Sequence, residues 1–192
     1  LDRIVYNFDP QHASRLSKYE HYIRERNKVL AQRGWESETA WLGVIEDKIT
    51  EEAIAIDKAR QEAIALMQKS IDSLDTDFPK ANLELSKLFG EQRVEASLVD
   101  LYREELLNSR AKDSYSGRTN FGIHRSDFIV THLVKQRLAR LCSTGEQKAL
   151  LISIILSSIE SILKSTNFVP ILLLDELFVH LDEERRMQLS DY

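Results

Sequence analysis

From Leu42 to Leu66 the apolar residues Leu42, Ile45, Ile49, Ile56, Ala63 and Leu66 return at heptad-like spacing, with Ala59 filling one more position and Glu52 interrupting the run. That spacing draws one apolar edge along about nine or ten turns of α-helix, and an edge of that length needs a partner to leave water. A shorter stripe precedes it. Between Gln11 and about Arg33, Leu16, Tyr19, Ile23 and Leu30 recur three and four residues apart, after an Asp9-Pro10 pair that suits a helix start. Gly34 separates the two runs, so the pattern predicts an antiparallel αα-hairpin with the second helix lying back along the first.

Asp77, Phe78 and Pro79 end the hairpin, and the alternation of Leu83 and Leu85 with polar neighbours predicts a short strand within 82–88, before Phe89 and Gly90. A third helix is expected from Glu91 to about Ala111, with Val94, Leu98, Leu101 and Tyr102 on one side. Core packing is the simplest reading of all these stripes. After Asp113 the character changes. Ser114 to Gly122 is rich in Ser, Gly and Asn, the composition of a loop, and Phe128–Val130 and Leu133–Leu138 are strand-like. Gly145 to Thr166 reads as a helix apolar on most sides, which calls for burial. Pro170 to Leu174 is a continuous apolar run ending in Asp175 and Glu176, as in a strand covered on both faces of a parallel sheet. The expected class is therefore α/β and helix-rich, with a helical lobe over residues 1–112 and part of an α/β domain over 113–192. No internal repeat is visible.

With 43% hydrophobic and 30% charged residues and only 6 Gly and 3 Pro in 192, collagen-like, low-complexity and disordered classes are excluded. A formal charge of −5 lends no support to nucleic-acid binding, although Lys135, Arg137 and Arg140 make a short basic run that is either a contact surface or a solvated face. The single cysteine, Cys142, cannot form an internal disulfide, which leaves a cytoplasmic setting as the default, and it reads as structural. The longest apolar stretches, Ala149–Leu156 and Val169–Leu174, fall short of the ~18 to 20 residues a membrane span needs, so no membrane association is expected. The first residue is Leu1, not Met, which suggests a processed or truncated chain.

Three constellations carry possible chemistry. In Ile171-Leu172-Leu173-Leu174-Asp175-Glu176 a buried strand delivers adjacent carboxylates to its C-terminal edge. Nucleotide hydrolases use that Walker B arrangement to hold Mg²⁺ through the first carboxylate and to polarise the attacking water with the second; a strand ending in solvated acids is the alternative. In Cys142-Ser143-Thr144-Gly145-Glu146-Gln147-Lys148, Ser143 can cap the following helix and Gly145 lets a phosphate approach the free N–H groups there. This has the form of an ABC-type signature, and its place about 30 residues before Asp175 fits successive elements of such a head. In Val179-His180-Leu181-Asp182, Asp182 is either a helix cap or a D-loop aspartate.

These residues resemble the RecF family of bacterial recombination and repair ATPases. The resemblance rests on Asn7-Phe8-Asp9-Pro10, Tyr19 with Arg24-Glu25-Arg26-Asn27-Lys28-Val29-Leu30, Trp41-Leu42, and Gly117-Arg118-Thr119-Asn120-Phe121-Gly122-Ile123-His124-Arg125-Ser126-Asp127-Phe128, together with the signature, Walker B and D-loop runs. It implies a P-loop ABC-type ATPase head with an inserted helical lobe, and an ATP-dependent homodimer. It also implies weak DNA-stimulated ATP hydrolysis, DNA binding where single and double strands meet, and work with RecR and RecO in loading RecA during DNA repair, recombination, replication and the SOS response. By the same resemblance Ser143, Gly145 and Glu146, with Lys148 nearby, would meet the γ-phosphate of ATP held by the other protomer. Asp175 would position Mg²⁺, Glu176 would be the catalytic carboxylate, and Asp182 would reach across the dimer. His124, Arg125 and Asp127 belong to a family motif that is either functional or a structural turn and strand.

The sequence departs from the family at Ile123, where Pro is common, at Ser126, where Asp is, and at Glu146, which replaces Gln and sets a carboxylate beside the expected phosphate. It contains no Gly-x-x-x-x-Gly-Lys-Ser/Thr, so the chain reads as an internal piece of a longer ATPase that would not turn over ATP by itself. Two other readings stand beside this one. One is a noncatalytic interaction module using the hairpin from Gln11 to Leu74. The other is an ABC-type head of the chromosome-maintenance group, from which the hairpin of roughly 65 residues departs by its shortness.

Overall fold

The computed structural model describes residues 1–74, 76, 78–89, 98–165 and 171. They fall into two compact units, Leu1–Gln61 with Ser86–Asp127, and Glu62–Leu85 with the described residues from Phe128 onward. The units interleave along the chain. The composition shift after residue 112 lies inside a helix, because the polar residues that announce a loop there are held by buried partners.

In the first unit a short helix, α1 (Asp2–Val5), precedes α2 (His12–Leu30). Asp9 organises the entry to α2: its carboxylate accepts the Gln11 N–H at 3.0 Å and pairs with Arg15. After Gly34, in the left-handed conformation at φ +80°, a 3₁₀ turn over Trp35–Glu38 leads into α3 (Thr39–Ser73), whose 35 residues match the expected long second helix. The pairs Arg26–Glu46 and Lys18–Glu52 run in opposite senses along α2 and α3, so the helices are antiparallel. The third helix, α4 (Leu98–Ser116), runs parallel to α2, as Tyr19 meets Tyr102, Arg26 meets the Leu106 carbonyl and the Leu30 carbonyl meets Ser114. The residues expected to start this helix, Glu91 to Ser97 with Val94, lie outside the described residues. Tyr19, Leu30, Leu42, Ile45, Ile49, Ile56, Tyr102, Leu106 and Ile123 form the shared core.

The stripe on α2 contains more than its apolar members. His12, Leu16, Tyr19, Ile23, Arg26 and Leu30 follow one another at four- and three-residue steps, and His12 and Arg26 are both fully buried. An isolated guanidinium there would be prohibitively costly, so its donors must be occupied. Arg26 Nε donates to Glu46 at 2.9 Å, Nη1 to Asp113 at 2.7 Å and to Thr119 Oγ1 at 2.8 Å, and Nη2 to the Leu106 carbonyl at 2.7 Å and Ser109 at 3.2 Å. Arg110 grips both oxygens of Glu46, closing a buried group of two arginines and two carboxylates with no net charge. Asp113 also accepts the backbone N–H and side-chain amide of Asn120 at 3.0 and 2.9 Å. Burial by itself raises the Asp113 pKa, but the hydrogen bonds from Arg26, Asn120 and Ser109 outweigh it and hold the carboxyl below its ordinary value.

This network carries α4 past its expected end. Ser114 and Ser116 stay helical because Ser114 Oγ donates to the Leu30 carbonyl and Asp113 is anchored from two sides. On α3 the buried seam also departs from strict heptads: Ala63, Met67 and Ile71 are buried whereas Leu66 is 38% exposed. A straight helix drifts about 20° per heptad, which over the span from Ile45 turns Leu66 off the seam.

The second unit begins with the last turns of α3 and contains an antiparallel sheet in the order β1 (Ala81–Leu85), β2 (Phe128–His132), β3 (Arg137–Leu138). β1 matches the expected short strand. Gln68 of α3 serves as an extra pairing partner for it, accepting the Leu83 N–H at 2.9 Å and donating to the Ala81 carbonyl at 3.2 Å. The strand-like run Leu133–Leu138 is mostly a turn. Leu133 to Gln136 reverse the chain, Gln136 takes φ +48°, and only Arg137 and Leu138 pair with β2. A 3₁₀ turn over Ala139–Leu141 leads to α5 (Thr144–Ser165), the expected apolar helix. Leu74, Phe78, Ala149, Ile152 and Leu156 make the core of this unit, and Ser161 bonds Ser70 at 2.8 Å, a close approach that the small serines of α5 permit. The expected strand Pro170–Leu174, Ile171 apart, lies outside the described residues.

Replacing Arg26 with Ala is expected to destabilise the protein by about 3 to 5 kcal/mol in urea unfolding, since Glu46 and Asp113 would be left buried and uncompensated, whereas Lys28→Ala on the exposed face should change it by less than about 1 kcal/mol. Asp113 has a depressed folded pKa, so its contribution is present above the unfolded value and is lost as pH falls. Urea midpoints measured against pH should therefore decline below about pH 4, with Asp113→Asn well below the wild type at pH 7 and converging on it in acid. A gap of constant size across that range would contradict a charge-dependent role.

Candidate functional site

Residues 142–148 form a built helix start. Ser143 precedes α5 as its N-cap, and Glu146 stands three residues on, the spacing of a capping box. Both halves of the box form: the Ser143 N–H donates to Glu146 Oε2 at 2.8 Å, and Ser143 Oγ faces the Glu146 N–H at a longer 3.4 Å. Gln147 Nε2 donates to the Cys142 carbonyl at 3.0 Å, fastening the turn from its other side. Cys142 itself is buried and its Sγ lies 3.6 Å from the Leu138 carbonyl, in keeping with a packing role.

Ser143, Thr144 and Gly145 are exposed, and the space where a Cβ would stand on Gly145 is open. The start of a 22-residue helix thus stands at the surface, where the first N–H groups carry the positive end of the helix dipole. Lys148 follows on the next turn, half-buried. The other oxygen of Glu146 pairs with Lys135 of the β2–β3 turn. Hydrogen bonds from Lys135 and then Ser143 hold the Glu146 carboxyl at a pKa of about 2, so it is ionised throughout the neutral range. Lys135 was legible in the sequence only as one member of a basic run; the turn that brings it to Glu146 depends on the left-handed Gln136.

The second candidate group, His124, Arg125 and Asp127, belongs to the first unit and has a different character. Tyr19 Oη lies 2.7 Å from His124 Nδ1, and His124 Nε2 lies 3.1 Å from the Thr119 carbonyl. A carbonyl only accepts, so Nε2 carries the ring proton and Nδ1 accepts from Tyr19. Tyr102 Oη then stands 3.4 Å from Tyr19 Oη and takes the Ile123 N–H at 3.3 Å. Burial pushes the Tyr19 hydroxyl up to about 12, and desolvation pulls His124 below its ordinary value, so both are neutral at pH 7. Gly122 at φ +140° sits against this relay, where an added Cβ would come within 2.4 Å of Tyr19 Oη. Arg60 donates to the Ile123 carbonyl at 2.9 Å and pairs with Asp2, which also meets His12. Arg125 is exposed in a 3₁₀ turn, and Asp127 is tied through its main chain to Ser86. The His124 ring and the Asp127 main chain help hold this turn in place, while the side chains of Arg125 and Asp127 are exposed.

Asp175, Glu176 and Asp182 lie outside the described residues. The residues that sequence reading missed are Glu46, Arg110 and Asp113, with Arg26 quoted only as part of a motif. Arg26 falls in step with Ile23 and Leu30 on an apolar face, and that placement is the signal for buried acidic partners.

No family model matches the chain. The DNA replication and repair protein RecF of Rickettsia bellii is 49% identical over the whole chain, and that of Rickettsia prowazekii is 48% identical over the whole chain. Over its whole length the chain is similar to RecF proteins. It spans 53% of the length of each of these relatives. Among solved structures, the recombination mediator protein RecF-ATP of the RecFOR pathway matches 99% of the chain at a TM-score of 0.83 and 22% identity, with 52% of that chain covered. A second, RecF-ATPrS, matches 95% of the chain at 0.79, with 51% of that chain covered. The fold is therefore that of the helical lobe and part of the ATPase head of RecF. No helix among the described residues is long and apolar enough to cross a membrane.

Proposed function

We propose that the protein acts as a RecF-type mediator of DNA replication and repair, an ATP-dependent dimerising ATPase that works on DNA at single-strand gaps with RecO and RecR to load RecA. The observation that carries this reading is the turn from Ser143 to Glu146, an exposed, capped helix start with open space over Gly145, in a chain nearly half identical to proteins named for DNA replication and repair. The two structural neighbours are RecF-ATP and RecF-ATPrS of the RecFOR pathway, which supports ATP as the ligand.

The residues of the turn fit a triphosphate. Ser143 Oγ and the free N–H groups at the start of α5 offer donors to an anion, and the helix dipole adds to their pull. In this reading Ser143 and Gly145, with Lys148 nearby, meet the γ-phosphate of a nucleotide held by the second protomer, and Glu146 lines the same turn from within the cap. Asp175 holds Mg²⁺, whose positive charge offsets the phosphates; Glu176 takes the proton of the attacking water; and Asp182 makes the D-loop contact across the dimer. A cytoplasmic location follows from such a role.

Two substitutions in the full-length protein test this. Ser143→Arg should abolish ATP-dependent self-association, measured by analytical ultracentrifugation, while leaving ATP binding intact. Glu176→Gln should preserve the association and slow hydrolysis at least about a hundredfold through loss of the general base. Normal turnover in Glu176→Gln would remove the catalytic assignment, and an ATP-dependent dimer surviving Ser143→Arg would remove the signature's role across the interface.

A further inference from the structure

Glu146 creates a problem that the turn itself must solve. Its carboxylate is three residues into the turn proposed to meet a triphosphate, and with its pKa near 2 protonation offers no relief at neutral pH. Like charges at such range raise the free energy of the bound state, and an exposed anion beside Gly145 would cancel much of what the helix start contributes.

The structure places a cation against it from a separate element. Lys135 sits in the turn between β2 and β3, and its Nζ pairs with Glu146 Oε1 while Glu146 Oε2 takes the Ser143 N–H at 2.8 Å. Both carboxylate oxygens are thereby engaged, one by the cap and one by the lysine. The turn that presents Lys135 is itself specified: Gln136 adopts φ +48°, uncommon for a residue with a Cβ, and its side-chain amide donates to the Leu133 carbonyl at 2.6 Å. Lys135 and Glu146 belong to the same compact unit.

We propose that Lys135 is a positioning residue for the triphosphate-facing turn, its ammonium group neutralising Glu146 and holding it in the cap so that Ser143 Oγ and the first N–H groups of α5 are left to face phosphate. The pair does by ion pairing what a neutral amide at position 146 would do without a partner. Lys135 is 52% exposed at its side chain, so the pair adds little to folding and its significance lies in the charge at the turn.

The inference rests on the signature reading, and a double-substitution series in the full-length protein separates the two. The measured quantity is the ATP concentration giving half-maximal self-association. Lys135→Met keeps most of the stem and removes the charge, and should raise that concentration about fivefold, the scale of one charge met at contact range in water. Glu146→Gln in the Lys135→Met background should return it to the wild-type value, because a neutral side chain needs no compensation. A structural loss in the turn would not be repaired that way. An unchanged ATP requirement in Lys135→Met, or failure of Glu146→Gln to restore it, would overturn the role of Lys135 while Ser143→Arg still abolishes association. Association that persists in Ser143→Arg would overturn both readings together.

Discussion

The buried guanidinium of Arg26 is the constraint on which the first unit depends. Its donors reach Glu46 on α3, Asp113, Ser109 and the Leu106 carbonyl on α4, and Thr119 in the loop beyond, so one side chain fixes the spacing of three helices and a turn. Hydrophobic contacts between helices are tolerant of small slides, because leucine against isoleucine differs little from leucine against valine. A buried arginine is not tolerant: each donor that loses its acceptor is stranded away from water. With Arg110 completing the charge balance around Glu46, the alignment of α2, α3 and α4 becomes discrete.

From that alignment the loop after α4 inherits its shape. Asn27 accepts from Thr119, Asp113 takes the amide of Asn120, and the chain then arrives at Gly122 against Tyr19 and Tyr102. The family motifs around Arg26 and around His124 are thus two halves of one structure. Arg26, Thr119, Asn120 and the His124 ring are joined by hydrogen bonds to this framework, while the Arg125 and Asp127 side chains stand exposed beside it. Residues 142–148 differ in that Ser143, Thr144 and Gly145 begin a long helix at the surface, with open space at the Cβ position of Gly145.

Much of the architecture was legible in the sequence because apolar periodicity maps directly onto buried faces. The hairpin around Gly34, the length of α3, the strand at Ala81–Leu85 and the buried helix beginning at the signature all follow from it. What was not legible depended on partners distant in sequence. Ser114 and Ser116 look like loop residues until Leu30 and Arg118 supply acceptors, Leu133–Gln136 look like strand until the turn closes, and Arg26 looks solvated until three helices meet on it. The signature was recognisable as a pattern, whereas the pairing of Lys135 with Glu146 required the fold of the β2–β3 turn.

The polar motifs thus divide into a framework built on the buried Arg26 and a turn at Ser143–Gln147 that is proposed to face phosphate. Amide hydrogen exchange of the full-length protein, followed with and without a non-hydrolysable ATP analogue under conditions of association, tests that division most directly. The expected result is slow exchange at Asn120 and Ile123 that the nucleotide leaves unchanged, with nucleotide-dependent slowing at Thr144, Gly145 and Glu146. Slowing confined to the segment from Thr119 to Asp127, with Thr144 to Glu146 unaffected, would contradict it.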